Sequence, residues 1–141
     1  MLRTAAILAT LMSVAFRPTL SALPTNPPYN LIIEDVYADI GNFYVTAYCG
    51  CEICCGEWAH KRQDGIIRGA SGEELVSGYS VAADPSIPFG AQLYIEGVRY
   101  EVQDRGGAIK GQRLDIYFKA HEDALAFSAG HYNVKVKIDF D

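Results

Sequence analysis

Three aspartates and a knot of cysteines are the residues of this chain best suited to chemistry. Asp104 and Asp115 stand eleven positions apart in "VQDRGGAIKGQRLDIYF", and Asp84 precedes Pro85 in "VAADPSIPFGAQLYI". Carboxyls brought into one cleft can give and take protons, because burial or a neighbouring carboxylate raises the pKa of one of them towards neutrality. Two of these acids also have a plainer reading. Aspartate before proline is a common turn residue, and Asp104, followed by Arg105, Gly106 and Gly107, can fix a loop by accepting backbone amides. Asp115 lies in mid-strand, where there is no turn to stabilise. A lysine beside these acids lowers their pKa values, so Lys110 opposes the acid role and is a candidate substrate contact.

The cysteines are concentrated in "YCGCEICCGEW", as Cys49, Cys51, Cys54 and Cys55, with none elsewhere. In an exported protein an even set is first read as disulfides, here formed only among themselves within one chain. Four thiolates can instead hold a zinc ion, with His60 near enough to replace one, although usual zinc sites join two separated pairs. Free or redox-active thiols are a third reading. Any such staple follows directly on Tyr48 and would fix one wall of a cleft. His121 and His131 show no ligand spacing and read as a helix-start residue and a turn residue. Trp58 could stack against a ring of a ligand, but a lone tryptophan in a loop reads first as a plug at a core edge and is left out of the site.

The elements that must position these groups are mostly short and of period two. "FYVTAY" (43–48), "YSVAA" (79–83), "QLYIE" (92–96), "RYEVQ" (99–103), "LDIYF" (114–118) and "NVKVKI" (133–138) are rich in β-branched and aromatic residues, and turn residues bound most of them. "AHEDALAFSAG" (120–130) reads as the one helix, with acids in its first turn and Gly130 as a stop. Six strands must close or cover their edges, and a small, mainly β barrel does so. Alternation puts Leu114, Ile116 and Phe118 on the core face of their strand and Asp115 and Tyr117 on the other. Thr46 and Tyr48 alternate with Val45 and Ala47 and can line the same cleft as Asp115, with Tyr48 stacking on or hydrogen-bonding a ligand, or can form a plain strand face with a partly buried tyrosine.

The chain has 141 residues, half of them hydrophobic, enough for one domain with a real core. Residues 1–22, with Arg3, an apolar run and small residues at Ser21 and Ala22, read as a signal peptide, the alternative being an uncleaved anchor or buried helix. Residues 23–40, beginning "LPTNPPYN", read as linker and N-terminal segment, and 41–141 as the domain. Without residues 1–22 the balance loses Arg3 and Arg17 from 12 basic residues and none of the 17 acids, which leaves −7. Such a charge argues against nucleic acid as partner, since that binding relies on basic residues neutralising phosphates. A neutral or mixed-charge polymer is the better substrate class. "GASGEE" does not match the G-x-S-x-G nucleophile elbow, and there is no dinucleotide or phosphate loop.

"VTAYC" (45–49), "GASG" (69–72), "VAADPSIPFGAQLYI" (81–95) and "DRGGAIKGQRLDIYF" (104–118) together resemble the three-Asp, or 3D, domain of bacterial cell-wall proteins. The resemblance runs from about Phe43 to Val136. The same segment is similar to one in the membrane-bound lytic transglycosylase A family. It implies a six-stranded double-psi β-barrel, cleavage of peptidoglycan glycan strands, and a secreted or periplasmic protein associated with the cell wall that keeps no membrane span after processing. The naming aspartates are then Asp84, Asp104 and Asp115, with Asp115 matching the catalytic acid. No cofactor is implied, apart from the structural zinc the cysteines could hold. Residue 69 is glycine, where the family pattern more usually has threonine.

A lytic transglycosylase, a non-catalytic glycan-binding module, and a hydrolase pairing Asp115 with Asp104 or Asp84 are the three functions these residues admit.

Overall fold

The computed structural model describes residues 35–60 and 64–139, without the side chain of His60. The expected signal peptide and most of the expected linker lie outside the described residues. Six strands form: β1 (Val36–Cys49), β2 (Ser80–Ala83), β3 (Gln92–Ile95), β4 (Val98–Asp104), β5 (Arg113–Phe118) and β6 (Gly130–Ile138). They close into a barrel in the order β1-β5-β2-β4-β3-β6. Two neighbour pairs, β1/β5 and β2/β4, are parallel, and the other four are antiparallel.

All six expected strands are present. The first is much longer than expected. β1 starts at Val36, inside the stretch read as N-terminal segment, and its two ends have different neighbours: residues 36–45 pair with β6 and residues 44–49 with β5. A register shift between Asp39 and Gly41 bends the strand so that it can serve both.

The core is the inward face of every strand. Val45, Val81, Leu93, Val102, Leu114, Ile116 and Val134 have no exposed surface, and Phe43, Ile95 and Tyr100 join them in one cluster. β-Branched and leucine side chains at alternate positions fill so small a barrel, and this burial is the main term holding it together. A buried polar chain sits at one side. Ser80 donates to Gln103 Oε1 at 2.5 Å and accepts from the Val76 amide at 2.7 Å, and Gln103 Nε2 donates to Glu73 at 2.8 Å. These bonds tie β2 and β4 to the loop that precedes them.

The helical content differs from the single helix expected. A short turn, α1 (Glu52–Cys55), and a 3-10 segment (Gly56–His60) occupy the cysteine loop, and the later helix, α2, covers only His121–Ala126. Phe127 is already extended and packs its ring 6.1 Å from Phe118 and 6.3 Å from Tyr132. That aromatic contact ends the helix, and Gly130 opens β6 opposite Val45 instead of acting as a stop. Leu125, within α2, is largely exposed.

Candidate functional site

Asp115 and Thr46 are opposite one another in the parallel β5/β1 ladder. With Leu114 and Ile116 in the core, the pleat turns Asp115 to the other side, where it borders a cleft of about 910 Å³ together with Tyr48, Trp58, Arg68, Gly69 and Asp104. Thr46 Oγ1 donates to Asp115 Oδ1 at 2.7 Å. Among the described residues no hydrogen bond reaches Oδ2. Burial pushes the Asp115 carboxyl above its ordinary pKa, the Thr46 hydrogen bond and Arg113 pull it down, and Asp104 adds to the rise.

Asp104 ends β4 and faces the same cleft, but three donors hold it. Tyr48 gives its hydroxyl to Oδ2 at 2.5 Å, and the amides of Ala70 and Arg105 reach Oδ1 at 2.8 Å each. Burial, followed by the charge of Asp104, drives the Tyr48 phenol well above its ordinary pKa, so it remains a donor. The Tyr48 ring borders the cleft, while its hydroxyl serves Asp104. Thr46 is likewise committed to a carboxylate, which makes both positioning residues for the acids.

Asp84 is placed differently. Its carboxylate accepts the amides of Ser86 and Gly111, both at 2.9 Å, and these bonds hold its pKa down at about 2. It does not line the cleft. It pins the loop after β2 to the end of the Gly106–Gly111 bend, within which Ile109 is buried against Gly106. A Cβ on Gly106 would stand 2.7 Å from Ile109 Cγ1, so glycine is needed for the bend to close. Lys110 is exposed on the bend, adds a weak downward pull on Asp84, and lies outside the cleft lining.

Gly69 explains the departure at the start of "GASG". A Cβ there would meet the Gln103 carbonyl oxygen at 2.2 Å. The loop lies directly on β4, with the Ser71 amide on that same oxygen at 3.1 Å, and this approach delivers the Ala70 amide to Asp104. A threonine could not occupy this backbone path.

Trp58, Arg68 and the backbone at Arg105 are cleft residues that sequence reasoning did not assign. Trp58 borders the cleft instead of plugging a core edge, and it is largely exposed. Its place beside the cysteine motif was the available signal. The Arg105 guanidinium turns away, donating to the Ile87 carbonyl at 2.7 Å and stacking 4.0 Å over the Phe89 ring.

The cysteine loop brings in a residue from far along the chain. His121, at the start of α2, places Nδ1 3.4 Å from Cys49 Sγ, 3.5 Å from Cys51 Sγ and 3.6 Å from Cys54 Sγ. Among the described residues no disulfide joins the cysteines, and Cys55 Sγ donates to the Cys49 carbonyl at 3.1 Å. The reading of His121 as having no ligand relationship is therefore corrected. Sequence spacing could not show it, because the approach depends on β1 and β5 lying side by side.

Parts of the chain are similar to known proteins. Residues 79–139 match the 3D domain family model. YabE of Bacillus subtilis strain 168, whose name places it in cell wall shaping, is 40% identical over 60 residues, which are 41% of this chain and 14% of YabE. The cell wall-binding protein YocH of the same organism is 35% identical over 85 residues, 55% of this chain and 30% of YocH. The chain thus spans less than a third of either relative. Among solved structures, the lytic transglycosylase MltA of Escherichia coli is 31% identical with a TM-score of 0.47, over 57% of this chain and 30% of that one. MltA with bound chitohexaose is 29% identical with a TM-score of 0.47, over 55% and 29%. The residues that match the 3D domain model, 79–139, run from β2 through β6.

Proposed function

We propose that the protein cleaves peptidoglycan glycan strands as a lytic transglycosylase, with Asp115 as the one general acid and base. The observation that carries this reading is the unequal state of the three aspartates. Asp84 and Asp104 have both oxygens engaged by fixed donors, whereas Asp115 borders the cleft with its Oδ1 held by Thr46 and is made a weaker acid by burial. A hydrolase of the usual kind needs a second working carboxyl to activate water or attack the sugar. An intramolecular transfer does not.

In that transfer Asp115 gives its proton to the glycosidic oxygen as the bond to C1 of N-acetylmuramic acid breaks. The sugar's own C6 hydroxyl then attacks C1 and returns its proton to Asp115, which closes an anhydro ring and consumes no water. Asp104, fixed in place by Tyr48 and two amides, faces the positive charge that develops at C1. Trp58 and the Tyr48 ring offer apolar faces to sugar rings. The cell wall names of the two Bacillus relatives support the substrate class and a location at the wall.

A second reading, glycan binding without cleavage, is favoured by the name of YocH. Incubation of the full chain with purified peptidoglycan, followed by mass analysis of soluble fragments, separates the outcomes. Anhydro ends support transglycosylation, ends heavier by one water support hydrolysis, and sedimentation with the glycan without any fragment supports binding alone.

A further inference from the structure

We propose that Cys49, Cys51, Cys54 and His121 form a tetrahedral zinc site, with three Sγ atoms and Nδ1 as ligands. The four atoms lie within 4.8 Å of one another. Zinc–sulfur bonds of about 2.3 Å and zinc–nitrogen bonds of about 2.0–2.1 Å at tetrahedral angles require roughly 3.8 Å between sulfurs and roughly 3.5 Å between sulfur and nitrogen. The three nitrogen–sulfur separations, 3.4, 3.5 and 3.6 Å, fit that figure. The Cys49–Cys54 separation, 3.7 Å, fits the sulfur figure, while Cys49–Cys51, at 3.1 Å, must open by about 0.7 Å.

Three thiolates with one imidazole are a donor set that suits zinc, and four protein ligands leave no position for a reacting water, so the site is structural. Cys55 is excluded because its sulfur is directed to the Cys49 carbonyl. The metal joins the loop after β1 to the first residue of α2, 72 positions from Cys49. Cys54, Cys55 and Trp58 border the cleft, so the ion would hold the wall that carries Trp58 and the end of β1 that carries Tyr48.

The test uses the full chain, purified without chelator, and does not depend on glycan cleavage. Elemental analysis after dialysis should find one equivalent of zinc per chain. Cys51→Ser and His121→Ala should lose it, and Cys55→Ser and His60→Ala should keep it. Should the first two variants fail to fold, cobalt added to the wild-type apoprotein decides, with the intense ligand-field and thiolate charge-transfer bands of a tetrahedral site expected. Wild-type protein without zinc whose thiols titrate only after reduction would overturn the proposal in favour of disulfides. Loss of zinc from Cys55→Ser or His60→Ala, or an octahedral cobalt spectrum, would overturn the ligand set.

Discussion

Thr46 on β1 and Asp115 on β5 face one another in a parallel ladder, and the hydroxyl of the first donates to Oδ1 of the second at 2.7 Å. The bond fixes one carboxylate oxygen of an acid that borders the cleft. It also works against burial, favouring the ionised form that burial disfavours.

Thr46→Val keeps the shape of the side chain and removes the donor. The carboxylate then loses a stabilising bond and the Asp115 pKa rises further. Because the acid form starts the reaction, the alkaline limb of the pH profile for release of anhydro fragments should move to higher pH. The rate at the optimum should fall about tenfold, the equivalent of a hydrogen bond worth about 1.4 kcal/mol. A profile that stays in place, or moves down, would show that Thr46 does not tune the acid.

The barrel was legible because most strands read as period two: Leu114 and Ile116 inward, Asp115 outward, is a statement about the pleat that needs no partner strand. Tyr117 shows where alternation stops being informative. It leaves the core face as expected, yet it is almost fully buried, its ring 5.6 Å from Tyr48 and the Gly78 amide on its carbonyl. The face opposite the core is covered by loops, and loops carry no period. The same limit hid His121, whose meeting with Cys49 follows from strand order alone. The division of labour among the aspartates was also hidden, since the donors to Asp104 come from β1, from the loop at Ala70 and from its own neighbour.

Asp84→Asn tests the structural half of that division. The folded carboxylate is held at about 2, while an unfolded chain has it near the usual value of about 3.9. Between those values the unfolded state binds more protons, so this contribution is fully present above pH of about 4 and is lost as pH falls towards 2. The variant should therefore melt below wild type at pH 6, and the gap should close on acidification through that window. Release of anhydro fragments should fall less than about tenfold, since the group does not border the cleft. A melting gap that is constant with pH would count against the loop-pinning role.

Asp115→Asn tests the chemical half, and here the sign of linkage is opposite. The folded pKa of Asp115 is raised, so above the unfolded value the folded state holds the extra proton and stability declines as pH rises towards the folded pKa. Asparagine has no charge to bury and can still accept from Thr46 through its carbonyl oxygen. The variant should melt no lower than wild type at neutral pH and should lack that decline. Its activity should fall on the order of a hundred- to ten-thousand-fold, towards the upper end because one carboxyl performs both proton transfers. Melting curves from pH 4 to pH 8 and mass analysis of released fragments measure both effects on one preparation. A folded Asp115→Asn protein that still releases anhydro fragments at near the wild-type rate would remove Asp115 from the reaction, whatever its pKa.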